Sequence, residues 1–388
     1  MAYENNRKNR ASRRRKRRRE VFFITALGIL LFLFTTAFLI AAFFLARRLL
    51  PKEETVKETE TETFVWETPE TESESETETE QAKPVYPKPR YAFAEELVTV
   101  PVEGLRGTYE IAWVSDLHLI TDHAEGEGVL AEHLEAIETR YGELPVTADG
   151  VHAEELWDEI VAYLNYRGFD AVIFGGDMID YCSVSNIEAL RRGFDALDPA
   201  MQRVYLRADH DYGNWYGGEE FTEERCRSLH AMIDGDRMED KRLLLSDKEG
   251  KPEIMIVGVN DSTVNMGDAQ FAQLEDWFAE AGEQGLTLLT ATHIPYASMT
   301  DASLRELSMQ VRNQIYYWNG DGSEGHFIPI GKTWEFMQLL YHFDPPVAQV
   351  LAGHLHASWD GKLNERVPEH IFAPAFAGNI GVVRIVPK

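Results

Sequence analysis

Val172-Ile173-Phe174-Gly175-Gly176-Asp177 runs from a short apolar stretch into two glycines and an acid, the start of the run Gly175-Gly176-Asp177-Met178-Ile179-Asp180. Four more clusters repeat the pattern of apolar stretch, then polar group. Asp116-Leu117-His118 follows Ile111-Ala112-Trp113-Val114, and Asp209-His210-Asp211 follows Val204-Tyr205-Leu206. His293 follows Leu288-Leu289-Thr290, and Gly353-His354-Leu355-His356 follows Val350-Leu351. Asp and neutral His are the side chains that hold hard-to-borderline divalent metals through oxygen and nitrogen. Taken singly, each cluster also reads as an ordinary turn that ends a strand. In an extended segment residues i and i+2 point the same way, so Asp116 with His118, and His354 with His356, can each meet one ion. Three adjacent residues cannot. Asp209-His210-Asp211 therefore divides into a ligand, a histidine near substrate and a carboxylate orienting that histidine.

Around these clusters, strand-like apolar runs fall at 110–115, 171–174, 203–206, 254–259, 286–290, 347–351 and 382–386. Helical periodicity occupies 152–167, 185–196, 221–233, 268–282 and 332–342. The alternation predicts an α/β layered domain with ligands gathered beyond the carboxyl ends of the strands. Residues 120–150 and 296–331 lack a strand pattern and read as insertions. The second carries Tyr316-Tyr317-Trp318 and a Gly/Asp turn region over 319–325. His123, His133, His152, His230, His326, His342 and His370 lack ligand spacing and read as surface or core residues. His326 and the neighbouring aromatic run lie in an insertion that gives them a route to substrate.

The amino-terminal part is of another kind. Residues 1–20 hold ten Lys or Arg and two acids, and residues 21–46 form 26 positions without a charge, closed by Arg47-Arg48. A helix of that length spans about 30 Å of hydrocarbon, and a signal-peptide apolar region is usually shorter, at ~7–15 residues. The expectation is a single transmembrane anchor. Cationic flanks stay cytoplasmic, so the ten basic residues place the amino terminus inside and the large carboxyl-terminal part outside the cell membrane. Residues 47–90 read as a disordered acidic stalk: twelve Glu stand among the 28 residues 53–80, mostly alternating with Thr and Ser, before Pro84, Pro87 and Pro89.

Residues 1–90 carry 17 basic and 14 acidic side chains, a net of +3, so the whole-chain charge of −27 leaves −30 on residues 91–388. A domain that acidic disfavours nucleic acid as a partner, because phosphate backbones need clustered cations. A phosphorylated ligand would have to be met by metal ions. Two cysteines, Cys182 and Cys226, are too few for a disulfide framework.

The order of these elements (D-x-H, GGDMID, x-H-D, a lone His, G-H-x-H) resembles the calcineurin-like metallophosphoesterases over about residues 108–388. That resemblance implies two facing mixed β-sheets flanked by helices. It also implies two metal ions, commonly manganese, iron or zinc. Asp116, His118 and His356 would hold the first, with Asp177 bridging; Asp177, Asp209, His293 and His354 would hold the second. His210 would stand beside the substrate phosphate with Asp211 as its partner. The implied reaction is hydrolysis of a phosphate mono- or diester, or a pyrophosphate, by hydroxide formed between the metals, on a phosphorylated small molecule or lipid-linked substrate. One residue departs from the family's pattern: Asp209 stands where Gly-Asn-His-Asp/Glu has Asn. Asp still offers an oxygen, but it adds a negative charge and removes an amide donor. The alternative reading is therefore a catalytically degenerate, metal-containing surface module of the same fold.

Overall fold

The computed structural model describes residues 84–121, 133–143, 146–213, 230, 231, 233, 241–261, 265–318 and 326–388. The expected anchor at 21–46, the stalk as far as residue 83, most of the expected helix at 221–233, and Cys226 lie outside the described residues. Among the described residues no helix is long and apolar enough to cross a membrane.

Among the described residues, eleven strands form two sheets. They are β1 (Ala94–Val102), β2 (Tyr109–Val114), β3 (Ala171–Gly175), β4 (Gln202–Leu206), β5 (Lys241–Ser246), β6 (Pro252–Gly258), β7 (Thr287–Ala291), β8 (Gln349–Ala352), β9 (Trp359–Lys362), β10 (Pro368–Ile371) and β11 (Asn379–Pro387). The five-stranded sheet has the order β1-β11-β2-β3-β4, and the six-stranded sheet the order β5-β6-β7-β8-β10-β9. Both are mixed. In the first, β2, β3 and β4 are mutually parallel while β11 runs antiparallel to β2; in the second, β6, β7 and β8 are parallel while β5 and β9 are reversed.

Period-two alternation explains why the sheets face each other. Ile111, Trp113, Ile173, Val204 and Leu206 of one sheet pack against Ile254, Ile256, Leu289 and Leu351 of the other. The intervening residues point outward, as successive strand side chains must. Ala112, Val114, Val172 and Phe174 meet Trp157, Ile160 and Leu164 of α2 (Ala153–Arg167) and Leu190 and Phe194 of α3 (Val184–Asp195). Met255, Val257, Leu288 and Val350 meet Leu274 and Phe278 of α5 (Asp268–Gln284) and Phe336, Met337 and Leu340 of α7 (Gly331–His342). A strand that buries both faces reads as an unbroken apolar run.

Each insertion carries a helix among its described residues: α1 (Leu134–Glu143) lies in the first and α6 (Ser303–Val311) in the second. A single turn, α4 (Asp209–Tyr212), follows β4. The end of the expected stalk is tied down, because Arg90 donates from its backbone N–H (2.6 Å) and its Nε (2.7 Å) to Glu159 of α2.

Glu369 on β10 is fully buried, accepts only the Tyr296 N–H (3.1 Å) at Oε1, and has no partner for Oε2 among the described residues. Burial pushes its carboxyl up to about 8. Between the ordinary carboxylate range and that value the folded state holds a proton the unfolded chain has lost, so stability falls as pH rises through this window. Glu369→Gln should remove that dependence and gain about 2 kcal/mol on the wild type between pH 6.5 and 8.5. Thermal unfolding of the two proteins across that range checks it; a difference that stays flat with pH would show Glu369 ionised in the native state.

Candidate metal centre

Every motif residue sits just past the carboxyl end of a strand. Asp116 and His118 follow β2, Asp177 follows β3, Asp209 and His210 follow β4, His293 follows β7, and His354 and His356 follow β8. The backbone there is not extended. Asp116, His118, Asp177, His354 and His356 have φ of 54°, 48°, 52°, 70° and 53°, all left-handed; among the described residues only Arg312 is another non-glycine of this kind. A left-handed turn at alternate residues drives the middle residue inward, and Leu117 and Leu355 are fully buried. The two flanking polar groups are left at the site. Extended geometry therefore does not account for D-x-H and H-x-H; paired left-handed turns do.

These turns are held by neighbouring loops of the same sheet and, at His354, across the sandwich. Asp116 N–H donates to Gly176 O (3.0 Å), His118 N–H to Asp177 O (2.9 Å) and Gly353 N–H to His293 O (3.1 Å). His354 N–H lies 3.1 Å from each carboxylate oxygen of Asp116. Two glycines are required by close approach. A Cβ on Gly176 would stand 2.7 Å from His293 Nδ1, and one on Gly353 would stand 2.6 Å from Asp116 Oδ2.

The side chains converge as two sets. Asp116, His118 and His356 bring one donor atom each within 4.8 Å of one another, and so do Asp177, Asp209, His293 and His354. His118 Nε2 and His356 Nε2 are 3.0 Å apart, and His354 Nδ1 is 3.2 Å from His293 Nε2. Asp177 lies between the sets: its Oδ2 is 3.8 Å from His118 Nε2 and 3.1 Å from His293 Nε2.

The model of the calcineurin-like phosphoesterase family matches residues 109–358, a span that contains all of these groups. The chain belongs to the calcineurin-like phosphoesterases. No curated protein matches it significantly. Among solved structures it is similar to a dimetal phosphatase from Danio rerio, with 10% identity, a TM-score of 0.40 and coverage of 69% of this chain and 88% of the other. It is also similar to the purple acid phosphatase PPD1 from yellow lupin seeds, with 11% identity, a TM-score of 0.39 and coverage of 72% and 46%. At these levels neither likeness bears on the substrate.

The third motif of this phosphoesterase is arranged differently from the sequence expectation. Asp211 does not orient His210. Its carboxylate accepts the backbone N–H groups of Asp177 (2.9 Å), Met178 (3.0 Å), Ile179 (3.3 Å) and Ala208 (2.8 Å) and the Tyr205 hydroxyl (3.0 Å). The cause is the helical turn α4, in which neighbouring side chains diverge by about 100°. Asp180 takes the orienting place. His210 Nδ1 is 2.7 Å from Asp180 O and 3.5 Å from its carboxylate, which also meets His118 Nδ1 at 2.9 Å. Arg140 of α1 binds that carboxylate through two nitrogens, Nη2 at 2.5 Å from Oδ1 and Nε on Oδ2. Asp180 was visible in the GGDMID run, three residues after the ligand, but nothing in the sequence separated it from a turn residue.

The second insertion's aromatic run turns inward. Tyr316 is buried and stacked on Tyr296 (5.0 Å), His326 is buried with Tyr317 edge-on at 5.6 Å, and Trp318 packs against the cluster containing α5 and α7. His230 is also a core residue, its Nε2 2.6 Å from Asp211 O and its imidazole kept neutral, down to about 3, by burial and then by Arg207.

The donor set fits a pair of cations. Burial works against ionisation of Asp116 and Asp177, yet neighbouring imidazoles outweigh it: His356 and His293 hold Asp116 below the usual range, and His293, His210 and His118 do so for Asp177. His293 is held well above the ordinary histidine value, because Asp177, Asp116 and Asp261 overcome its burial. His354 goes the other way, down to about 3, by burial and then by His293. Its buried Nε2 has no partner among the described residues. Crowded carboxylates facing neutral imidazole nitrogens form the donor chemistry that binds divalent ions.

Asp211 thus ties the Asp177 loop to the turn after β4. Asp211→Asn would set an amide N–H₂ against backbone N–H donors, and we expect a loss of roughly 1–3 kcal/mol of stability together with reduced metal content. Denaturant unfolding and elemental analysis test this. Unchanged stability with slowed turnover would return Asp211 to the role of a partner for His210.

Proposed function

We propose that the protein hydrolyses a phosphate mono- or diester, or a pyrophosphate, in a site holding two divalent or transition ions. The observation that carries the reading is Asp177, a member of the second set whose one oxygen also faces His118 of the first, at 3.8 Å, while it lies 3.1 Å from His293. Asp116, His118 and His356 would hold one ion with Asp177; Asp177, Asp209, His293 and His354 would hold the other. Such ions supply hydroxide near neutral pH and neutralise phosphate oxygens. Manganese, iron and zinc all suit these ligands.

The chain's own part is positioning and proton transfer. Burial opposes a charge on His210, but the Asp180 hydrogen bond, then Asp177, raise it to about 9, so the ring is an imidazolium at neutral pH. With Nδ1 held by Asp180, Nε2–H is the proton it can give to a leaving oxygen. The acid is active while protonated, so its titration gives the alkaline limb of the rate profile. Cations neutralising Asp177 would draw that limb below 9.

Metal-loaded protein should contain two ions per chain and turn over aryl phosphoesters. His210→Ala should keep both ions and lose about 10²–10⁴ in kcat along with the alkaline limb, whereas Asp177→Asn should lose metal as well. Inactivity of the metal-loaded protein on mono-, di- and pyrophosphate substrates rejects this function. Turnover that begins only with Asp209→Asn would make the wild type a non-catalytic metal-holding module.

We also propose that residues 21–46 anchor the chain in the cell membrane with residues 91–388 outside, beside phosphorylated small molecules or lipid-linked phosphates. The uncharged run and the basic residues before it support this. Carbonate should leave the chain with membranes, and protease added to intact cells should release the carboxyl-terminal part; extraction by carbonate refutes the anchor, and protection in intact cells refutes the orientation.

A further inference from the structure

Resting on the phosphoesterase reading, we infer that this site selects phosphodiester monoanions over phosphomonoester dianions, and that Asp209 sets the preference. The first observation is charge. Three carboxylates, Asp116, Asp177 and Asp209, lie in the two ligand sets. With neutral imidazole ligands and two divalent ions the two sets are left with a net of about +1, where an asparagine at 209 would leave about +2; the charge on His210 is offset by the hydroxide that the ions would supply. A phosphomonoester carries roughly −1.5 to −2 at neutral pH because its second pKa is about 6, while a diester carries a single charge. The diester balances this site and the monoester overfills it.

The second observation is that Lys and Arg side chains among the described residues do not make up the difference. Among the described residues no Lys or Arg is paired with Asp116, Asp177 or Asp209. Arg140, the guanidinium delivered by α1, is bound through two nitrogens to Asp180. Asp209 is itself exposed, at the open side of a set whose other members are buried. An incoming phosphate oxygen therefore meets a carboxylate there in place of an amide donor.

The third observation is apolar. Phe376, half-buried on the turn Ala375–Ala377, sets its ring edge-on to His356 at 5.1 Å and 6.0 Å from His118, with its N–H donating to Asp116 O (3.1 Å). A monoester has only its leaving group to lay against that wall, whereas a diester carries a second organic substituent.

Full-length protein, loaded with manganese and checked for two ions by elemental analysis, is titrated calorimetrically with inorganic phosphate and with dimethyl phosphate at pH 8. In parallel, kcat/KM is measured on an aryl phosphate and on its methyl aryl diester. The wild type should favour the monoanion in both measurements, and Asp209→Asn should shift both ratios about tenfold towards the dianion. Phe376→Ala should weaken the diester more than the monoester. Tighter binding of inorganic phosphate than of dimethyl phosphate by the wild type overturns the inference, even if Asp209→Asn fails to hold its metal; so does a ratio that Asp209→Asn does not move. Inactivity on both esters would overturn the phosphoesterase reading instead, while the two titrations still decide the anion preference.

Discussion

Left-handed backbone at five candidate ligand residues is the constraint on which this site rests. Such a conformation costs a non-glycine residue about 1–2 kcal/mol, because Cβ crowds the following carbonyl. It persists only where the surroundings over-determine it. Here they do so from both sheets: the Asp116 and His118 amides are fixed on the loop after β3, and the His354 amide is fixed on the Asp116 carboxylate. The core reaches the same point. Trp113, stacked on Phe372 between the sheets, donates from Nε1 to Ser115 Oγ (2.9 Å), and that hydroxyl donates to Asp116 Oδ2 (2.6 Å). Packing of the sandwich and aim of the ligand are therefore one problem.

Electrostatics follows from that geometry. Carboxylates forced together below the surface need compensating charge, and protons on His293 and His210 supply it when no cation does. A divalent ion at the second set must displace the proton from His293, since only the neutral ring can be a ligand. Metal affinity is then coupled to pH through the same residue that binds the metal. Asp180 and Arg140 stand outside this exchange. Their mutual ion pair leaves the Asp180 carboxylate an acceptor for both His118 and His210, so one group fixes both rings together.

How much was legible in the sequence depended on how completely each element is buried. Strands β2, β3, β4, β6, β7, β8 and β11 announce themselves as apolar runs because both faces are covered. Strands β5 and β9 (KRLLLS and WDGK) do not, since edge positions admit polar residues and erase the period, and β10 (PEHI) does not because this interior strand buries Glu369 and His370. Strand β1, at the edge of its sheet, carries two glutamates and a proline and was missed for the same reason. The candidate ligands could be read because each ends a buried run. The pairing of His210 could not, because it depends on whether the backbone after β4 is extended or helical. Residues 209–212 are DHDY in a single turn, and that turn sends Asp211 to the amides of 177–179.

The stretches that carry no motif are what distinguish this phosphoesterase from the bare ligand set. From the first insertion comes Arg140, bound to the carboxylate that orients His210; from the second comes Asn313, whose amide donates to His354 O at 2.7 Å. Neither is a ligand, and neither lies in a stretch whose pattern marked it as part of the site. Both hold ligand-bearing loops from outside, where a change of side chain alters the aim of a donor without removing it. A scaffold built this way can keep its metal chemistry fixed and vary its selectivity through charge at single positions. Asp209 is such a position: it keeps an oxygen for the metal while changing the charge that a phosphate meets.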